Sequence, residues 1–375
     1  MAHRRRALLP VLGLAIAAAA LAGCGRAGDD GSSGSAGTEV VAAPSIPISA
    51  TKNTSRIPGG GPVELAAGSA RAVYPGAGQR PPAVALADAS SWPAAVTAAS
   101  LMAPPLRAPV LLTQGSEIPA PTAAAIEELS PATGKLLRLG TAGAPDGLET
   151  VSIGGADPYT LAQNVDAYRA KLTGRWSRSV VVVPVDSAAY AMPAAAWAAK
   201  SGDPVLFTGK DSLPAATASA IRSHGKPKIY LLGPASVVSS GVADELRQLG
   251  SLTRIGGGTA AASAVAFARF SQSGFGWGVT DPGHGFLFLN PNEPAAAGGA
   301  APLAASGTYG PLLVINRDGS LPAVTREYLR DLRPGYSSDP VRGVYNHGWM
   351  IGDTESVPAA TQAEIDGLLE IKPVR

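Results

Sequence analysis

The residues of this 375-residue chain that could do chemistry are few. It has one cysteine, Cys24, and four histidines, His3, His224, His284 and His347. No H-E-x-x-H pair and no G-x-S-x-G elbow occurs, so neither zinc-assisted nor serine-based hydrolysis has its usual local signature. His224 precedes Gly225 where a helix is expected to end, a place whose dipole favours an imidazolium. Asp281-Pro282-Gly283-His284 and Asn346-His347-Gly348 read as turns. Gly256 to Ala261 fits a loose G-x-G-x-x-A, weak evidence for a dinucleotide when it stands alone. The polar residues that best suit binding stand at matched places instead. Asp88, Asp186 and Asn290 each follow one apolar run, and Gln114, Lys210 and Arg317 each follow another. Lys210 and Arg317 could grip phosphate or carboxylate, with helix amino termini adding donors. The competing role for Asp88, Asp186 and Asn290 is to cap helices or turns, and for the cations to be solvated loop residues. Arg56 and Arg254 stand between ligand contact and an inter-repeat salt bridge. Trp92, Trp176, Trp197, Trp277 and Trp349 could stack on sugars, although scattered tryptophans more often pack in cores and domain interfaces.

The matched places come from an internal repeat. Ala108-Pro109-Val110-Leu111-Leu112-Thr113 leads into Ile118-Pro119-Ala120. Asp203-Pro204-Val205-Leu206-Phe207-Thr208 leads into Leu213-Pro214-Ala215, and Gly310-Pro311-Leu312-Leu313-Val314-Ile315 into Leu321-Pro322-Ala323. The second prolines, Pro119, Pro214 and Pro322, lie 95 and 108 residues apart. A period near a hundred residues sets the architecture before any single side chain does.

Each copy alternates strand and helix. In the second, Val180 to Val185 is a β-branched run suited to a strand buried on both faces. Met192 to Lys200 reads as an Ala-rich helix, Val205 to Thr208 as a strand, and Pro214 as the first residue of a helix reaching Ser223. Lys228 to Leu232 is a third strand and Ser240 to Leu249 a last helix. The first copy repeats this at 84–87, 92–102, 110–113, 119–129 and 136–139. The third does so at 286–289, 294–303, 312–315, 322–332 and 349–351, with an extra loop around 334–345. Strand and helix alternating at this spacing imply right-handed crossovers, hence mainly parallel sheets covered by helices. In such sheets ligands favour the carboxyl ends of the strands, where the matched polar residues fall.

The amino-terminal segment is of another kind. Arg4-Arg5-Arg6 and the apolar run Ala7 to Leu21 form a secretory signal pattern too short for a comfortable membrane span. It ends in Leu21-Ala22-Gly23-Cys24, which resembles the lipobox of bacterial lipoproteins and implies a diacylglycerol on Cys24. Gly25 to Ala50 reads as a flexible tether. With Cys24 lipidated the exported part keeps no thiol, so disulfides and cysteine metal sites are excluded. Removing Arg4, Arg5 and Arg6 from the 30 basic residues leaves 27 against 28 acidic ones, so bulk charge does not support a nucleic-acid partner.

The ordered phrases resemble the type 2 cell wall-binding repeats of Gram-positive surface proteins. Arg254-Ile255-Gly256-Gly257-Gly258 and Ser55-Arg56-Ile57-Pro58-Gly59-Gly60 resemble the family's opening. Val151 to Thr160 does so with Ser152 in the arginine's place. Trp92-Pro93-Ala94 resembles its helix start, and the prolines of Met192-Pro193-Ala194 and Glu293-Pro294-Ala295 persist. Leu232-Gly233-Pro234 and Ile351-Gly352-Asp353 resemble its closing. The acid after the helix-start proline is alanine in all three copies, and the opening Asp-Arg pair is nowhere complete.

The resemblance implies an α/β protein of three tandem Rossmann/flavodoxin-like repeats packed with pseudo-threefold symmetry, holding anionic cell-wall polymer non-covalently without a cofactor or catalysis. The expected organisation is a signal at 1–23, a tether at 24–54, and repeats at 55–148, 149–251 and 252–375. Lipidation at Cys24 would anchor it to the outer face of the cell membrane. Candidate ligand contacts are Arg56, Asp88, Asp186, Lys210, Arg254, Asn290 and Arg317. The alternative is a lipoprotein that captures a sugar or peptide for import, although such proteins usually have two lobes hinged about one cleft. A wall-modifying enzyme would need a polar cluster spanning the repeats.

Overall fold

The computed structural model describes residues 49–76 and 78–374. The signal pattern, Cys24 and most of the expected tether lie outside the described residues. Among the described residues no helix is long and apolar enough to cross a membrane.

Three parallel four-stranded arrangements form the framework. The first holds Ala83–Asp88, Val110–Thr113, Lys135–Leu139 and Glu149–Ile153. The second holds Ser179–Pro184, Val205–Thr208, Lys228–Leu232 and Ser251–Ile255. In the third, Gly285–Leu289, Leu312–Val314 and His347–Ile351 are joined by Thr54–Ile57 from the other end of the chain. Ser49–Ala50 adds an antiparallel edge to the third sheet. The order is the same in all three: second strand, first strand, closing strand, then a strand that opens another repeat. Val180 to Val183, Leu111 and Leu112, and Phe286 to Leu289 are fully buried, as strands covered by helices on both faces must be.

Sheet and sequence repeat are therefore one strand out of phase. Glu149–Ile153, at the expected start of the second repeat, pairs with the closing strand of the first, Leu137 opposite Val151. Ser251–Ile255 pairs in the same way with Lys228–Leu232. Thr54–Ile57 completes the circuit against His347–Ile351, with Arg56 opposite Met350. No sheet is complete within its own copy of the repeat, so each layer depends on a neighbour for an edge.

At the centre lie three equivalent helices. They are Trp92–Ala98, continued by a 3₁₀ turn Ala99–Met102, then Ala188–Ser201 and Ala296–Ala304. Each touches the other two. Their facing residues are nearly all alanine or glycine, because buried helices hydrophobic on every side leave little room between backbones. At Gly298 an added Cβ would stand 2.1 Å from the Ala95 carbonyl oxygen, and at Gly299 2.5 Å from the Ala66 Cβ.

The repeated phrase has a packing reason. Pro119, Pro214 and Pro322 are the residues just before their helices, one position earlier than expected, where a missing N–H costs nothing. Three residues on, Thr122 donates its hydroxyl to the Leu112 carbonyl and Thr217 to that of Phe207 at 2.6 Å, tying helix to second strand. The equivalent Thr325 is buried with no partner for its hydroxyl. The central helix of the second copy starts at Ala188, four residues before the expected Met192, and runs through Pro193. Helices Pro62–Val73, Pro158–Thr173 and Ala260–Arg269 follow the opening strands and were not expected; in the first and third, small residues blur the apolar period. The expected loop at 334–345 carries a short strand, Gly335–Tyr336, paired in parallel with Lys372–Pro373.

Gly298→Ala should lower stability by about 3 kcal/mol in urea unfolding despite alanine's better helix propensity, since the Ala95 backbone must move. Gly60→Ala, where an added Cβ meets nothing within 4 Å, should change stability by under about 0.5 kcal/mol.

Candidate functional site

A cleft of about 500 Å³ opens at the carboxyl ends of the strands and draws on all three repeats. Trp92, at the start of the first central helix, forms one wall with its ring edge-on to Phe207 at 5.6 Å. Asp186 and Tyr190 come from the turn after Ser179–Pro184 and the helix behind it. Asn292, Pro294 and Arg317 complete the lining, and Arg317 Nη1 donates to Asn292 Oδ1 at 2.7 Å. Asp186 and Arg317 are exposed. The structure thus brings two expected contacts, one acidic and one basic, to a single mouth beside an aromatic wall. Lys210 is exposed on a neighbouring turn, where its carbonyl accepts the Ser239 N–H at 2.9 Å, and it does not line this cleft.

The other expected contacts are committed inside the fold. Asp88 is buried, and its carboxylate accepts the N–H groups of Ser90 at 2.9 Å and Gly115 at 3.1 Å and the Thr141 hydroxyl at 3.1 Å. Burial opposes its ionisation, but these donors prevail and hold the carboxyl below its ordinary value. Asn290 does the same for the third sheet, donating to the carbonyls of Arg317 and Ser356 and accepting from the Asn292 N–H. Both side chains tie together the turns that follow three adjacent strands.

Arg56 is 4% exposed, with all five N–H groups engaged. Nη1 donates to the carbonyls of Gly352 and Asp353 at 2.7 Å each, Nη2 to Val357 at 2.8 Å, and Nε and Nη2 to Gln362 Oε1. Burial lowers its pKa, and the carbonyl cage takes the place of water. Arg254 holds the matching position in the second sheet and donates to the carbonyls of Gly233 and Ser239. Ser152 holds it in the first, accepting from Arg138 Nε at 3.2 Å. Arg56, Asp88 and Asn290, expected as ligand contacts, are instead buried and bonded within the fold. Arg56 and Arg254 latch an opening strand to the turn after the preceding closing strand, without the salt bridge weighed for them. Among the described residues no cluster is suited to a metal ion.

Sequence reasoning missed a buried ion pair at the opposite ends of the strands. His224 has no exposed side-chain surface; Nδ1 donates to the Ser177 carbonyl at 2.8 Å and Nε2 faces Asp166 Oδ2 at 2.7 Å. A carbonyl can only accept, so Nδ1 carries hydrogen, and the carboxylate holds a second on Nε2. Burial opposes the charge on His224, but the bond to Asp166, its charge and the Ser177 carbonyl together raise the pKa. Burial likewise pushes Asp166 up, against the pull of His224. The available signal was Asp166 and Arg169 falling on the same helical stripe as Leu161, Ala162 and Val165, a face that is buried.

Residues 152–243 match the family described as cell wall binding domain 2 (CWB2). No curated protein matches the chain. Among solved structures, Cwp6 from Clostridium difficile aligns over 85% of this chain and 48% of its own, at 17% identity and a TM-score of 0.69. Cwp8 from Clostridium difficile aligns over 85% and 52%, at 17% identity and a TM-score of 0.66. The chain thus spans about half the length of these structures, and at this identity the likeness speaks for the fold: mainly parallel sheets of alternating strand and helix.

Two outcomes follow from the latch and the ion pair. Arg56→Ala should cost about 3 kcal/mol, since several buried carbonyls lose their donor, whereas Arg254→Ala, partly exposed with two such bonds, should cost about 1 kcal/mol in the same urea titration. His224 and Asp166 both bind protons more readily folded than unfolded. For His224 that contribution is complete below the ordinary histidine value of 6.5 and is lost as pH rises through the folded pKa, whereas for Asp166 it is complete only below the ordinary value of 3.8. Unfolding midpoints of the wild type should therefore fall above pH 6.5 relative to those of His224→Gln, whose profile should be flatter.

Proposed function

We propose that the chain is a non-enzymatic, cell wall-associated surface protein whose three repeats hold anionic wall polymer non-covalently. The observation that carries this reading is the match of residues 152–243 to a cell wall binding domain. The repeats are read as the units 55–148, 149–251 and 252–375, related by a pseudo-threefold axis along the three central helices. Lipidation of Cys24, after removal of residues 1–23, would hold the protein at the outer face of the membrane, with 24–54 as tether. Three weak sites on one rigid body make the second and third contacts nearly intramolecular, so modest contacts suffice for firm retention. Asp186, Lys210 and Arg317 are the expected contacts whose side chains remain open to solvent. The import reading draws no support from the family match, and three interlocked layers do not resemble two hinged lobes.

Incubating the full-length chain with purified wall sacculi, with and without their anionic polymers, tests the proposal. Retention at low salt that disappears at high salt or after polymer removal is the expected result. Equal retention on stripped sacculi, or none at low salt, would overturn polymer binding.

A further inference from the structure

The charge of the two strand ends is unequal. Turns at the carboxyl ends carry Glu117, Asp186, Asp211, Asp318, Asp353 and Glu355, against Lys210 and Arg317, and Arg317 is already bonded to Asn292. Between Asp353 and Glu64, partly buried Glu293 has its carboxyl pushed up, first by burial and then by those two acids. Segments leading into the strands carry a net positive charge, with Arg80, Arg107, Arg175, Arg178 and Lys226 exposed against Asp146, Asp281 and Asp339. A polyanion approaching the carboxyl ends meets repulsion, and one approaching the amino ends meets attraction.

A cleft of about 960 Å³ lies at those amino ends, within the range of ligand-binding pockets. Its rim is the segment Arg175-Trp176-Ser177-Arg178, which leads into the strand Ser179–Pro184. Trp176 is 37% exposed, and its ring stands edge-on over His224 at 5.0 Å between centroids. Across the cleft Lys200 lies over the rings of Tyr309 at 3.9 Å and Trp277 at 4.9 Å. Burial lowers the Lys200 pKa.

Both acids of this cleft are hydrogen-bonded, and Asp203 keeps its charge. Asp203 accepts the Trp197 indole N–H at 2.8 Å and the Ser177 hydroxyl at 2.6 Å, and Asp166 is held by His224. Arg169, beneath the floor, donates to the carbonyls of Ser100 and Gly202, and its charge stands against those of Asp203 and Asp166. Among the described residues Arg175, Arg178 and Lys200 form no ion pair. Two helices end here and bring partial negative charge, about half a unit each, which whole cations outweigh.

We propose that this amino-end cleft is a binding site for an anionic saccharide, with Arg175, Arg178 and Lys200 taking its carboxylate or phosphate and Trp176 lying against a sugar face. Guanidinium forks suit such oxyanions, and an amphipathic indole suits a ring with one apolar face. The site is on the face opposite to that usual for ligands of parallel sheets. It rests on the wall-binding reading for the source of the saccharide, but its chemistry stands on these residues alone.

The test uses the full-length chain and three probes: wall sacculi, soluble oligogalacturonate as a simple carboxylated saccharide, and phosphatidylglycerol vesicles. Arg175→Glu/Arg178→Glu should lower sacculus retention and oligogalacturonate affinity at least tenfold with the unfolding midpoint unchanged, and Arg175→Lys/Arg178→Lys should keep most of both. Oligogalacturonate should quench Trp176 fluorescence, read as the difference from Trp176→Phe. Lys210→Glu/Arg317→Glu should lower both affinities by less than the Arg175/Arg178 reversal does. If sacculi are not retained but the soluble saccharide binds through Arg175 and Arg178, the wall reading fails and the site stands. Loss of binding confined to the Lys210/Arg317 variant overturns the proposal. So does wild-type failure with oligogalacturonate, or binding that depends on Arg175 and Arg178 only on phosphatidylglycerol vesicles.

Discussion

The close approach of three small-residue helices governs the rest of the molecule. Gly298 rests against the Ala95 backbone and Gly299 against Ala66, so the helix from the third repeat meets those of the first without a side chain between them. At that spacing dispersion contacts are many and tolerance for added volume is small. The helices alone would leave three sheets each short of an edge. The exchanged strands supply the edges, and Thr54–Ile57 closes the circuit by pairing with a strand almost three hundred residues away in sequence. Arg56 then fastens that strand through the carbonyls of 352, 353 and 357. Core and circuit are thus mutually dependent, and the three layers form one body.

This dependence explains why the most suggestive charged residues of the sequence are not all sites. A polar side chain at the end of a buried strand has two uses, to face solvent or to gather the turns around it. Asp88 and Asn290 gather turns, whereas Asp186, at the matching place, stays exposed beside Arg317 and Trp92. The acids that remain on that side make it a poor host for a polyanion. Arg175, Arg178 and Lys200 lie at the other end, above an ion pair whose charge is held within the fold.

Strand and helix alternation and parallel sheets were legible because buried β-branched runs and the Pro-Val-Leu-Leu-Thr phrase encode local geometry. The bonds from Thr122 and Thr217 were not legible, since each hydroxyl reaches its strand carbonyl only once the crossover is made. The exchange of opening strands was not legible, since Glu149–Ile153 has the same local character whichever sheet it joins. Arg56 could not be separated from a ligand contact, because its partners are backbone carbonyls about three hundred residues away. The amino-end cleft escaped notice for a related reason. Its cations gain meaning only when Arg175, Arg178 and Lys200 are seen to share one opening while nearby acids are hydrogen-bonded.

The central claim is that one interlocked body presents its anion-binding chemistry at the amino ends of the strands. Hydrogen–deuterium exchange of the full-length chain with solubilised anionic wall polymer reads this directly. The account predicts slowed exchange at 174–178 and around 200–203, with 209–212 and 316–320 unchanged. Protection confined to the latter two segments would contradict it.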